Sequence, residues 1–171
     1  MVLQTQRTYL REMDWGDLDA LKLILQDPEV MYAYAHAFSQ EEVAAWMDKQ
    51  LSRYREDGFG LWAMVLKESG QMIGQCGLSW QEAAGRQVLE IGYLLQKAYW
   101  GHGYATEGAR ACKAYAFEVL GASQVYSIIR ENNLPSIRVA RRNGMSCRGR
   151  IVKHYYGLDM PHFLYCADRE S

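Results

Sequence analysis

Hydrophobic residues recur along this chain at helical spacing, then in alternation, then at helical spacing again, and each change of period marks a new element. Thr8 to Met13 mixes β-branched, aromatic and apolar residues with polar ones, which predicts a strand. Asp14 then offers a side-chain oxygen to cap a helix carrying Leu18, Leu21, Ile24 and Leu25. Pro28 interrupts that pattern. Ser39 and Glu42 form the S-x-x-E capping box of a second helix, with Val43, Trp46, Met47, Leu51 and Tyr54 on one face and Gly58 and Gly60 after its end.

From Leu61 the period shortens. Leu61 to Lys67, Met72 to Trp80 and Val88 to Leu95 read as strands of an antiparallel meander, turning at Ser69-Gly70 and Ala84-Gly85. A helix is predicted from about Tyr104 to Leu120, with a stripe of Ala105, Gly108, Ala109, Cys112, Ala116 and Val119 and a stop at Gly121. Val125 to Ile129 is a short strand. Pro135 suits the first turn of a further helix with Ile137, Val139 and Ala140, closed by Asn143-Gly144. Strands near Cys147 to His154 and Pro161 to Ala167 end the chain. The result is an α+β domain with a mixed, mostly antiparallel sheet of about seven strands and about four helices. The crossover from Val88 to Ile129 should place two neighbouring strands parallel.

Composition narrows the class. A chain of 171 residues, 49% hydrophobic, suits one domain over residues 1–171 with a core that needs neither disulfide nor metal. The 19 basic and 20 acidic residues nearly cancel, unlike the basic footprint of a nucleic-acid binder. No apolar run reaches the roughly 18–20 residues of a membrane span, and no signal-peptide pattern opens the chain, so a cytoplasmic protein without nucleic-acid or membrane partners is expected. Cys76, Cys112, Cys147 and Cys166 are scattered singly and read as reduced and mostly buried. His36, His102, His154 and His162 lack paired metal-ligand spacing, and no metal is expected. Trp46, Trp62 and Trp80 read as core or pocket wall.

Candidate chemistry concentrates after the third meander strand. Leu89 to Leu95 runs through Gln96 to Trp100 into Gly101-His102-Gly103-Tyr104-Ala105-Thr106, where a helix begins. Amides at a helix start have no carbonyl partners, the helix dipole adds positive potential, and glycines let a phosphate approach the backbone. A pyrophosphate fits such a loop. The loop lacks the lysine and hydroxyl of a nucleotide-triphosphate P-loop, and the element order lacks the repeated parallel crossovers of a dinucleotide fold.

With Glu90-Ile91-Gly92-Tyr93, Tyr99 to Glu107, Asn132 to Ser136 and Asn143-Gly144-Met145 in that order, the chain resembles the GNAT superfamily of acyl-CoA N-acetyltransferases, in particular the branch of ribosomal-protein N-terminal acetyltransferases. The resemblance implies acetyl-CoA as acyl donor and a primary amine as acceptor, attacked directly in a ternary complex. The acceptor is either a protein N-terminus or a small molecule. Gly103 and Ala105 fit the family's pyrophosphate loop, while Trp100 stands where the general family has Arg or Gln, which leaves the grip to the amides of Gly101 to Thr106. By the same resemblance, main-chain groups of Leu94 and Leu95 pair with the pantetheine arm between splayed strands, and the Leu95 N–H is the oxyanion donor.

Glu90 is the candidate base, on the strand face shared with Gly92 and Leu94; the competing reading is a carboxylate that only orients substrate. Many family members protonate the leaving thiolate with a tyrosine where this chain has Ala140, and Ser136, one helical turn from Asn133, is the replacement implied. The resemblance implies that Asn133 and Ser136 also contact the coenzyme; ordinary helix capping is the competing reading, and the two roles can coexist. His154, beside Tyr155 and Tyr156, either lines the acceptor side or ends a strand. Glu41, Glu42, Asp48, Glu56 and Asp57 either attract a cationic acceptor or form a solvated helix face. A non-catalytic acyl-CoA sensor is the alternative function, and a homodimer through the segment beyond Cys147 is open.

Overall fold

The computed structural model describes residues 1–170. Strands β1 (Leu3–Gln4) and β2 (Thr8–Arg11) open the chain, and a 3₁₀ turn at Trp15–Asp17 leads into α1 (Leu18–Leu25). A second 3₁₀ turn, Met31–Tyr34, precedes α2 (Gln40–Glu56). The meander is β3 (Leu61–Leu66), β4 (Met72–Ala83) and β5 (Arg86–Leu95). After it come α3 (Tyr104–Glu118), β6 (Gln124–Arg130), α4 (Leu134–Arg142), β7 (Ser146–Tyr155) and β8 (Leu158–Asp168). All strands join one eight-stranded sheet in the order β1-β2-β3-β4-β5-β6-β8-β7. Every pairing is antiparallel except β5 with β6.

This is the mixed sheet that the order of elements predicts, with three corrections. The eighth strand, β1, spans two residues, too few for alternation to register. Asp14 caps the 3₁₀ turn instead of α1 itself: its Oδ1 accepts from Gly16 N–H at 2.7 Å while Asp17 accepts from Asp14 N–H at 2.9 Å. Helix α3 stops at Glu118, so Val119 leaves the core stripe and stands 64% exposed.

The sheet buries both faces. On one side α1 and α2 lay Leu21, Ile24, Val43 and Met47 over Ala63, Val65 and Met72. On the other, α3 and α4 cover Met64, Cys76, Leu89 and Ile91 with Ala109, Cys112, Ala116 and Ile137. Each Leu, Ile, Val or Met side chain among them, fully buried, contributes about 1.5–3 kcal/mol. The small stripe of α3 has a steric cause: a Cβ at Gly108 would stand 2.3 Å from Met64 Cε, so the helix lies close on the sheet. Among the described residues no helix is long and apolar enough to cross a membrane.

The β5–β6 pair positions the site. It is bridged at one place, Glu90 opposite Tyr126, and beyond it toward Leu95 the ladder is not continued. A gap therefore opens between two parallel strands in mid-sheet, flanked by the loop that starts α3.

Candidate active site

The loop at the start of α3 has the backbone of an anion cradle. Gly101 and Gly103 adopt φ of +78° and +82°, the left-handed region that glycine enters without steric cost. Gly103 is the N-cap, with no side-chain capping bond, and the first intrahelical bond of α3 runs from Glu107 N–H to Gly103 O at 3.0 Å. The amides of Tyr104, Ala105 and Thr106 thus precede the helical ladder and face an open cleft of about 490 Å³. Thr106 Oγ1 is buried there without a hydrogen-bond partner. An orphan hydroxyl beside free amides at a helix N-terminus fits a phosphate group. Arg7 braces the loop from outside, 4.2 Å over the Tyr104 ring and 3.2 Å from Glu107 Oε1.

The cleft continues into the gap beside β5. Gln96 N–H bonds to Ile73 O at 2.9 Å, and Leu95 lies opposite Gly74, so by antiparallel alternation the main-chain groups of Tyr93 and Leu95 point away from β4, into the gap. Leu95 O already accepts from Trp100 Nε1 at 3.1 Å, which leaves the Leu95 N–H free. Leu94 lines the cleft, but its own amide and carbonyl alternate toward Gln75 of β4. His102 is exposed and is the one residue from Trp100 to Thr106 outside the cleft lining; its ring centroid lies 6.0 Å from that of Tyr104.

A second cavity, of about 180 Å³, lies on the other side of the gap. Tyr93, Leu94, Asn133 and Ser136 line both cavities, so they meet at the start of α4. Asn133 Oδ1 caps α4 through Ser136 N–H at 3.3 Å and also accepts from Tyr32 OH at 2.8 Å. Capping and cleft lining coexist in these residues. Glu90 is half-buried in the second cavity, its Oε2 accepting from Ile128 N–H at 3.2 Å. Burial pushes its carboxyl up to about 7, while Lys153, the Ile128 amide and Arg53 pull it down.

Several groups lie where sequence spacing gave no hint. Tyr93 crosses from β5 to donate to Ser136 O at 3.0 Å, and burial raises its phenol. Lys49 and Arg53 of α2, Lys153 of β7 and Tyr34 line the second cavity. The acidic side chains of α2 take the solvated reading: Glu41, Asp48, Glu56 and Asp57 are exposed, and Glu42 is held by His36 and the Ser39 cap. His154 pairs with Asp159 across the exposed β7–β8 hairpin, and Tyr155 takes the place at the cavity. Cys76 and Cys112, distant in sequence, meet in the core with sulfurs 3.7 Å apart. Their contact and burial raise the Cys112 thiol. Cys76, Cys112 and Cys166 are buried and Cys147 is exposed, all four free. Trp62 is core and Trp46 is pocket wall, but Trp80 is 45% exposed, leaning on Phe59 near the turn of the β4–β5 hairpin.

The family model described as acetyltransferase (GNAT) domain matches residues 7–146. The chain is 35% identical over 144 residues to the uncharacterized protein YkkB of Bacillus subtilis (strain 168), covering 84% of each. It is 30% identical over 165 residues to the uncharacterized N-acetyltransferase p20 of Bacillus licheniformis, covering 90% of this chain and 92% of the relative. Its fold matches RimL, a ribosomal L7/L12 α-N-protein acetyltransferase solved with coenzyme A, with a TM-score of 0.79 at 19% identity over 96% and 95% of the two chains. An anion cradle at a helix start, a gap between parallel strands and a matching family model converge on one conclusion: this chain belongs to the GNAT family of acetyl-CoA-dependent N-acetyltransferases.

Proposed function

We propose that residues 1–171 act as one N-acetyltransferase domain in which the large cleft takes acetyl-CoA, the small cavity takes a primary amine, and transfer is direct within the ternary complex. The acceptor is a protein N-terminal α-amine or a small-molecule amine. The observation that carries this reading is the junction of the two cavities at Tyr93, Leu94, Asn133 and Ser136, with Glu90 on the acceptor side. The donor supplies an activated acetyl thioester, whose thiolate departs as the amide bond forms.

Each residue then has a task. The free amides of Gly101 to Thr106 and the Thr106 hydroxyl hold pyrophosphate. The open main-chain groups of Tyr93 pair with the pantetheine arm as an added strand would, and the free Leu95 N–H donates to the carbonyl oxygen as negative charge develops there. Glu90 accepts the proton that the amine must shed, and a carboxyl near 7 is suited to that exchange at neutral pH. Asn133 shapes the junction, and the Ser136 hydroxyl hydrogen-bonds to the departing sulfur and relays to it the second proton that the acylated nitrogen sheds. Calorimetric titration with acetyl-CoA, followed by a free-thiol assay across peptides, amino sugars, amino acids and polyamines, tests the reading. Saturable binding with thiol release for one acceptor class supports it; binding without release favours an acyl-CoA sensor, and no binding overturns it.

A further inference from the structure

Lys49 and Arg53 lie one turn apart on α2, and Lys153 comes from β7 at the other end of the chain, yet all three converge on the same cavity of about 180 Å³. Five other Arg and Lys side chains, at positions 7, 11, 97, 148 and 150, have carboxylate partners within 4.0 Å. Among the described residues these three have none. A fourth cation at the cavity, Arg130, spends its Nη1 on Tyr32 O at 3.0 Å. His162 also lines the cavity, but burial lowers its pKa and keeps it neutral. Glu90 is the single carboxylate of the lining.

The balance inside the cavity is therefore positive even when Glu90 is ionised. Gathered cations disfavour one another: burial, Arg53 and Lys153 all push the Lys49 ammonium down. Such a cluster gains most from an anion that enters with the ligand, since like charge near an unpaired group is the arrangement most strongly rejected. Its volume falls below the roughly 300–1,000 Å³ of sites that enclose drug-sized ligands. Ser79, opposite Glu90 in the β4–β5 register, and Gln81 add neutral polar groups to the floor.

We propose that the acceptor is a small amine carrying a carboxylate or phosphate, its anionic group held by Arg53, Lys153 and Lys49 and its amino group directed to Glu90. This rests on the acetyltransferase reading of the same site. The two anion types share their recognition chemistry, a compact negative group met by guanidinium and ammonium donors. Polyamines are excluded on charge.

The test uses matched pairs with the full-length protein: α-amino acids against their α-amides, amino-sugar phosphates against the free amino sugars, and acidic against neutral peptides. Each member is assayed for thiol release and titrated calorimetrically against protein saturated with coenzyme A, so that binding is read even where transfer is slow. One family of small acidic members should exceed its neutral partners at least tenfold in kcat/KM or affinity, and which family does so separates carboxylate from phosphate. In the Arg53→Gln, Lys153→Gln double variant that preference should collapse through a rise of about tenfold in KM, and Arg53→Lys should retain most of it. Equal use of both members, preference for a polyamine or a peptide, no binding by any acidic amine, or a preference that survives the double variant overturns the proposal. Failure of acetyl-CoA itself to bind, measured separately, would instead overturn the reading of the large cleft.

Discussion

Glu90 Oε2 accepts the N–H of Ile128 at 3.2 Å, so a side chain stitches β5 to β6 just past Glu90–Tyr126, their one main-chain bridge. Ser127 repeats the device from the other strand, its Oγ donating to Ile91 O at 3.2 Å. The gap is thus held open and closed off at one end by the same carboxylate proposed to take the proton. One oxygen serves the fold, and the other remains for chemistry.

That division predicts a pH profile. Glu90 acts as a base only when ionised, so with its carboxyl pushed up to about 7 by burial, kcat/KM should rise with pH through that region and level off above it. Glu90→Gln keeps the size and an acceptor for Ile128 but removes the titration. It should lower kcat/KM by about 10²–10⁴ and abolish that limb. A variant that keeps the limb assigns the base elsewhere.

The same shift predicts a cost to stability. Glu90 moves from an ordinary 4.5 to about 7 on folding, so the folded protein binds this proton more tightly than the unfolded chain. Its stabilisation is fully present below about 4.5 and is lost as pH rises through about 7. Urea melts at pH 5 and pH 8 should show Glu90→Gln closing part of the gap between the two pH values; an equal pH dependence in both proteins would deny the shift.

Gly103 separates conformational from steric effects. A Cβ there would meet only Arg7 Nη2, at 3.5 Å, an ordinary contact, so the φ of +82° is what a side chain must endure. Gly103→Val should lose about 1–2 kcal/mol of stability for a non-glycine residue in that region. Its branched side chain would also stand where a phosphate approaches the amides. Coenzyme A affinity should fall more than tenfold, as read by calorimetry on the folded fraction, and unchanged affinity would remove the loop from the site.

Much of this was legible in the chain because local signals and tertiary needs agree. The Ser39–Glu42 capping box, the turns at Gly70 and Gly85 and the small stripe of α3 each predict their element from neighbouring residues alone. The glycine loop is likewise contiguous, so the cradle and the family motif coincide. What escaped depends on residues brought together from afar. Lys49 and Arg53 of α2 and Lys153 of the edge strand β7 line the same cavity, and no spacing along the chain encodes that meeting. Cys76 and Cys112 adjoin for the same kind of reason, α3 lying so close that Gly108 has no room for a Cβ. Tyr93 read only as part of its strand and motif, and its bond to Ser136 O exists only once α4 has docked.

Thr106 tests the cradle without touching backbone conformation. Its Oγ1 is buried and unpartnered, a state that costs about 1–3 kcal/mol unless something bonds to it. Valine has nearly the same shape and no hydroxyl, so Thr106→Val should leave the ligand-free protein as stable as the parent or more so. Coenzyme A, whose phosphate oxygens accept from that hydroxyl in the proposed complex, should then bind roughly ten- to a hundredfold more weakly, the worth of one hydrogen bond to a charged group. The two readouts move in opposite directions, which a packing defect cannot imitate: a defect lowers stability and affinity together. If thermal melts without ligand fall while calorimetric affinity is untouched, the hydroxyl serves the fold, and the phosphate must be held by the amides alone.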